Sequence, residues 1–377
     1  MIFLLFLLTA AALAYQVLAL VSLKRLFQKP LPPPALPNFP GITVFKPVKG
    51  LDRETRECLL TFLTQDYEPF QVLFGVADPK DPVAPLLEEL RRQAPPGRVE
   101  VIFCQETLGH NPKVSTLRQL EPHARYDLLV VADGDVKVGQ DFLGQAAAAL
   151  RDPGVGLVSC PYRAGRADSL GAVMEALTIS ADFIPSVAVS RQVEGIRFAL
   201  GAAMAFTRTA LASIGGFAAL TDYLADDYQL GWRIHQAGYQ VKLLPYVVET
   251  LNPRMSFRDY LAHQLRWTRT YRVCRPMGYF AYGITQALVF SLALAVFSGW
   301  ASWAVGLVAA TVALRWGLAW FGEAVCLKGP LSFPALFLVP LKDLLSFGLW
   351  LASFLGNEVV WKGRRYHLTR EGRLQKS

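Results

Sequence analysis

Two carboxylates one residue apart, Asp133 and Asp135, close the apolar run of YDLLVVADGD. Paired aspartate oxygens suit a hard divalent cation, Mn²⁺ or Mg²⁺, that also grips a substrate phosphate. An ordinary Asp–Gly turn uses the same residues. Asp78 and Asp81 stand in FGVADPKDP, again just after an apolar run. Asp226 and Asp227 open the helical pattern of LADDYQLGWRIHQAG, where Asp226 could be a cap and Asp227 a general base for an acceptor hydroxyl. Arg266 and Trp267 follow His263 and Gln264, with Arg269 and Arg272 beyond, on an amphipathic stretch from Ser256 to Arg275. Arginines three apart share one helical face. They serve either an anionic lipid surface or a departing diphosphate.

The elements that must position these groups follow from hydropathy. Ile42–Phe45, Val72–Val76, Val99–Phe103, Leu128–Val131 and Val155–Cys160 read as short buried strands. Helical patterns lie between them near 53–65, 82–93, 113–121 and 140–150. The series predicts an α/β domain with a mainly parallel sheet, whose ligands bind at the carboxyl ends of the strands. Three of the four polar clusters fit that rule.

The rest of the chain is too apolar for a soluble enzyme: 53% of its 377 residues are hydrophobic and 18% are charged. Residues 2–23 carry no charge and are long enough to cross a bilayer as an anchor. Lys24, Arg25 and Lys29 come next, which predicts a cytoplasmic location for the following domain. A proline-rich linker spans 24–40, the catalytic domain 41–255, an amphipathic interfacial helix 256–278 and a membrane region 279–358. Within that region, 279–321 allows two spans with a tight turn near Ser298–Ser302. A third apolar stretch, 331–355, contains Lys342 and Asp343; these charges, like Arg315, must pair or face protein. The basic tail 359–377 favours the cytoplasm, so three crossings give the wrong parity and one segment must be re-entrant or interfacial. The net charge of +8 fits phosphate-bearing ligands and anionic lipid, and the apolar segments argue against nucleic acid. Five scattered cysteines show no metal-ligand spacing. The Ala-, Leu-, Gly- and Arg-rich composition points to a bacterial inner membrane.

Taken in order, Asp78/Asp81, Asp133, Asp227 and Arg266-Trp267 resemble the D, D, D, (Q/R)xxRW signature of the ceramide glucosyltransferase family. FKPVKGLD, GHNPKVSTL, FALGAAMAFTR, GGFAALTDYLADDY and WKGRRYHL extend the resemblance over residues 42 to about 372. It also reaches the hopanoid-linked bacterial glycosyltransferases. The resemblance implies a GT-A nucleotide-sugar-binding domain with transmembrane helices. It implies inverting transfer of a hexose from a UDP-sugar, UDP-glucose foremost, to the primary hydroxyl of a membrane lipid, ceramide foremost, or alternatively of a (N-acetyl)glucosaminyl or glucosyl group to a hopanoid. Lys49, Asp78, Asp81, Lys113 and Asp133 would then contact the donor, and Asp133 and Asp135 the cation. Asp227 would be the base, Arg266 would stabilise the diphosphate and Trp267 would shape the acceptor opening. Asp226, His263 and Gln264 fall in the acceptor and leaving-group region. Two departures stand out: His263 occupies the first place of the last motif, and Asp135 completes a full Asp-x-Asp. A processive polysaccharide synthase is the remaining alternative; it needs a channel, and the apolar segments are few for one.

Overall fold

The computed structural model describes residues 1–29, 31–32, 40–251, 254–361 and 363–376. Most of the proline-rich linker lies outside them.

Ten strands build the catalytic domain. The first four are β1 (Ile42–Pro47), β2 (Phe70–Val76), β3 (Val99–Phe103) and β4 (Leu128–Ala132). β5 (Val136–Lys137), β6 (Val155–Ser159) and β7 (Tyr162–Ala164) follow. β8 (Ala203–Thr207), β9 (Gln240–Leu243) and β10 (Val248–Thr250) complete the set. The main sheet runs β3-β2-β1-β4-β8-β6-β9, and β5-β10-β7 forms a smaller one. All pairings in the main sheet are parallel except those of β8, which runs antiparallel to β4 and β6. Helices Thr55–Leu63, Ala84–Gln93, Pro112–Leu120 and Phe142–Leu150 cover it. Both faces are therefore buried, which is why the strands read as unbroken apolar runs.

The apolar helices do more than anchor. The first runs Ile2–Phe27, a turn beyond the expected anchor, and its Leu23 and Leu26 enter the domain's main core. A second long apolar helix, Leu170–Val193, belongs to the domain and is largely buried; with a mean hydropathy of 1.5 it is an apolar segment that the sequence reading did not pick out. The interfacial helix is Phe257–Cys274, with the Ser256 hydroxyl accepting from the Asp259 amide at 3.1 Å. It ends before position 278: the chain breaks at Arg275 and restarts at Pro276. Helices Pro276–Thr285 and Ala287–Phe297 meet at a 49° bend. The expected turn at 298–301 leads into Ser302–Leu327.

The third apolar stretch, Phe333–Ser353, is long and apolar enough to cross a membrane. Its contacts instead place both ends on the domain side. Phe333 and Phe337 pack on Trp320 and Trp316, in the half of Ser302–Leu327 nearer the domain. That helix ends where the Leu327 carbonyl accepts from Arg163 at 3.0 Å. At the other end, the Trp350 indole donates to the Tyr279 carbonyl at 3.0 Å and Phe354 stacks near Tyr279.

The mid-helix charges neutralise one another. Arg315 reaches Asp182 at 2.7 Å and Asp343 at 2.7 and 2.8 Å, and donates to Gln16 at 3.0 Å. Lys342, fully buried, holds Asp343 at 2.8 Å and also binds Asp182. Two cations and two anions thus join four apolar helices.

The C-terminal residues are not a free basic tail. β11 (Glu358–Trp361), β12 (Arg364–Leu368) and β13 (Leu374–Lys376) form an antiparallel sheet. Tyr366 and Leu368 point inward while the intervening His367 faces out, the period-two alternation of a half-buried strand.

Candidate active site

β4 delivers Asp133 and Asp135 to the carboxyl end of the sheet, as expected. Beneath them lies Lys46 of β1, the first lysine of FKPVKGLD, to which the sequence reading assigned no role. Its ammonium donates to the Asp133 carbonyl at 2.5 Å and the Val136 carbonyl at 3.3 Å, over the Phe62 ring. Burial pulls its pKa down to about 8. A lone lysine in the apolar string ITVFKP was the available signal.

Lys113 joins two motifs that are 93 residues apart in sequence. It sits in the first turn of Pro112–Leu120, where the Asn111 side chain caps the helix by accepting from the Val114 amide at 3.1 Å. Its ammonium lies 2.7 Å from Asp133 and 3.3 Å from Asp226. Burial opposes its charge, but Asp133 and Asp226 outweigh burial and raise its pKa. Asn111 also donates to the Tyr223 carbonyl at 2.7 Å and to Asp226 at 3.3 Å.

Helix Asp226–Gln236 starts after Ala225, so Asp226 is in the first turn rather than the cap. Burial, with the neighbouring Asp226 adding to it, raises the Asp227 pKa to about 6. One Asp227 oxygen accepts from the Tyr228 amide at 2.8 Å; the other lies where a Cβ on Gly201 would come within 2.6 Å. Gly201 therefore makes room for this carboxylate.

Asp135 also titrates high, at about 6, through burial and then the Asp133 charge. Asp135 is nonetheless exposed to solvent, so protein crowds it without sealing it. Two adjacent carboxylates that repel each other, open on one side, fit a divalent cation that keeps waters and takes its remaining ligands from a substrate. No cluster of three or more His, Cys, Asp or Glu side chains suited to a metal occurs among the described residues. Such a cation would thus rest on few protein ligands.

The loop after β2 is a scaffold. Asp81 accepts from the Gly50 amide at 3.0 and 3.1 Å and from the Val83 amide at 3.0 Å; Asp78 accepts from the Lys80 amide at 2.9 Å. Asp81 thereby ties this loop to the one carrying the exposed Lys49.

From the membrane side comes Phe257–Cys274. Gln264 donates to Glu175 at 2.7 Å, and the His263 Nδ1 stands 3.2 Å from the same carboxylate, out of line for a hydrogen bond. These two side chains grip the helix Leu170–Val193, leaving Arg266 as the motif's free cation. Among the described residues the Arg266 guanidinium has no hydrogen-bond partner. Burial lowers its pKa, and Tyr271 and Glu175 oppose that. Trp267 packs against His263, Phe183 and Tyr271 with centroids 4.7, 5.5 and 6.0 Å apart. Burial raises Tyr271 well above the ordinary tyrosine value, and Asp227, Glu175 and Arg266 all act on it electrostatically. Tyr271 thus lies within electrostatic reach of both the base candidate and the arginine. Sequence reasoning missed Lys46, Asn111, Glu175, Gly201 and Tyr271.

Known proteins resemble this chain to different extents. A family profile described as glycosyl transferase family 21 matches residues 4–374. Ceramide glucosyltransferase 3 of Caenorhabditis elegans is 23% identical over 359 residues, covering 89% of this chain and 74% of that protein. A ceramide glucosyltransferase of Candida albicans is 31% identical over 124 residues, 30% of this chain and 23% of that one. A mannosyltransferase from Pyrobaculum calidifontis, solved with GDP-Man and Mn²⁺, superimposes with a TM-score of 0.56 at 21% identity, covering 93% of this chain and 96% of its own. The fold is that of the GT-A glycosyltransferases.

Proposed function

The chain belongs to glycosyl transferase family 21, the ceramide glucosyltransferases, and on that ground we propose that it moves one hexose from a UDP-sugar, UDP-glucose foremost, to the primary hydroxyl of ceramide. The observation that carries this reading is Lys113, which ties Asp133 at the donor end of the sheet to Asp226 beside the base.

Asp227 takes the proton from the lipid hydroxyl as its oxygen attacks the anomeric carbon, opposite the leaving diphosphate. A base with a pKa near 6 is deprotonated at neutral pH and still accepts a proton as the hydroxyl becomes acidic in the transition state. Arg266 and Lys113 meet the charge that grows on the diphosphate. An interaction that strengthens as the bond breaks lowers the barrier rather than the ground state. Asp133 and Asp135 would hold a divalent cation, which would supply further neutralisation of the diphosphate; Mn²⁺ in the mannosyltransferase neighbour supports that reading. Lys49 and the loop braced by Asp78 and Asp81 border the donor. Trp267 and Tyr271 form the apolar wall that the acceptor passes.

The helices Ile2–Phe27, Pro276–Phe297 and Ser302–Leu327 hold the protein in the bilayer, and Phe333–Ser353 lies along its surface. Two crossings after the domain return the C-terminal sheet to the catalytic, cytoplasmic side. The charge cluster around Arg315 plugs the middle of this helix group, which speaks against a polymer channel.

Purified protein incubated with UDP-sugars, ceramide and hopanoid acceptors, read by mass spectrometry, tests the proposal. A single hexose on ceramide is expected. A sugar on hopanoid alone, or a polymer ladder, would overturn it.

A further inference from the structure

The two halves of the site meet through a third segment. The loop Asp222–Leu224 leads directly into Asp226 and Asp227. On one face, Asp222 accepts from the His110 amide at 2.9 Å, and the Tyr223 carbonyl accepts from Asn111. On the other face lies the C-terminal sheet: the Leu374 amide donates to the Asp222 carbonyl at 2.7 Å, and Arg373 pairs with Tyr223 as an isolated bridge. Arg233 and Arg373 both donate to the Tyr223 hydroxyl, at 3.0 and 3.1 Å.

The same sheet grips the interfacial helix. Arg272 donates to the Gly356 carbonyl at 3.0 Å and also to Asn357, while Arg269 donates to the Glu358 carbonyl. These arginines follow Arg266 at positions three and six on its helix. Leu224, Val359, Tyr366, Leu368 and Leu374 form a small buried core, with Val273 of the interfacial helix packed against it. Residues 222–224, 269–273 and 356–374 thus share one apolar centre.

We propose that the C-terminal sheet is a positioning element of the catalytic site, holding the loop before Asp226 and Asp227 in register with the helix that carries Arg266 and Trp267. The proposal rests on the reaction assigned above. A displacement of about 1 Å between a base and a leaving-group cation costs up to about 100-fold in rate without touching donor affinity. The sheet therefore sets turnover from outside the cleft.

The test uses the full-length protein in detergent with Leu374→Asp, Tyr366→Ala and the conservative Leu374→Ile. Hydrogen exchange and donor dissociation constants are measured beside turnover. Leu374→Asp and Tyr366→Ala are expected to lower kcat by about 10- to 100-fold, leave donor binding unchanged and speed exchange at 222–228 and 264–274. Leu374→Ile should restore both readouts. Exchange that rises only within the sheet, or equally across β1–β4, overturns the proposal, as does normal turnover with a loosened sheet. If the wild type transfers no sugar, the assigned reaction falls, while exchange at 222–228 and 264–274 still decides whether the sheet holds the two halves.

Discussion

Replacing Asp227 with Asn removes a charge while keeping the shape and the hydrogen bond from the Tyr228 amide. The carboxylate has a folded pKa of about 6 against an ordinary value of 3.8. The folded state therefore holds this proton more tightly than the unfolded chain does. That contribution is fully present below the ordinary value and is lost as pH rises through 6. Above pH 6 the ionised group strains the fold by at most about 3 kcal/mol, since each pKa unit is worth about 1.4 kcal/mol. The cleft admits solvent, and screening leaves about 1–2 kcal/mol to be recovered. Asp227→Asn should thus raise the apparent Tm in detergent by roughly 2–8 °C at pH 8 and by almost nothing at pH 4. Transfer should fall by about 10²- to 10⁴-fold, because the base is gone. Donor binding should be unchanged. In the wild type, kcat/KM should rise with pH through a limb near 6. Near-normal turnover in the variant, or a lower Tm at pH 8, would refute the reasoning.

Gly201→Ala should place a methyl group 2.6 Å from the Asp227 carboxylate and cut transfer by up to about 100-fold, with the fold retained by circular dichroism; unchanged turnover would show that the carboxylate has freedom to move. Chelation of divalent metal should abolish transfer, and Mn²⁺ or Mg²⁺ should restore it; full activity in excess chelator would leave the diphosphate to Lys113 and Arg266 alone. Arg266→Ala should reduce kcat more than it weakens donor binding, and Arg266→Lys should rescue only in part because an ammonium lacks the two-pronged contact. Normal detergent turnover with weaker vesicle binding would make Arg266 a lipid contact instead.

The strands of the donor half were legible because burial on both faces writes an unbroken apolar run, and β1 to β4 and β6 all lie where hydropathy puts them. β8 was not legible: AMAFT is short, and its antiparallel direction depends on partners far away in sequence. Helix 170–193 escaped although its mean hydropathy is 1.5, and its Asp182 meets its cations, Arg315 and Lys342, only far along the chain. The N-terminal helix reads as an anchor alone; Leu23, Leu26 and Gln16 make it part of the protein's interior. The stretch 331–355 shows the limit of hydropathy, since a helix lying beside a bundle and one passing through it can have the same composition. In the site, the acidic positions could be read from strand ends and helix starts. What joins them could not: Lys113 between Asp133 and Asp226, or Glu175 under Gln264 and His263, exists only once the chain has folded.

The ion cluster around Arg315 also constrains how the protein is made. An isolated arginine, lysine or aspartate at the centre of a lipid-exposed helix costs about 2.5–3.5 kcal/mol to insert. Asp182 leaves the ribosome long before Arg315, Lys342 and Asp343 exist to neutralise it, and Gln16 emerges earlier still. On the proposed membrane arrangement only Arg315 lies within a crossing helix; Asp182 sits on a helix of the domain, and Lys342 and Asp343 on the helix along the surface. Insertion of Ser302–Leu327 therefore draws on Asp182, already translated, as the first partner of Arg315, so Asp182→Asn should lower the yield of inserted protein.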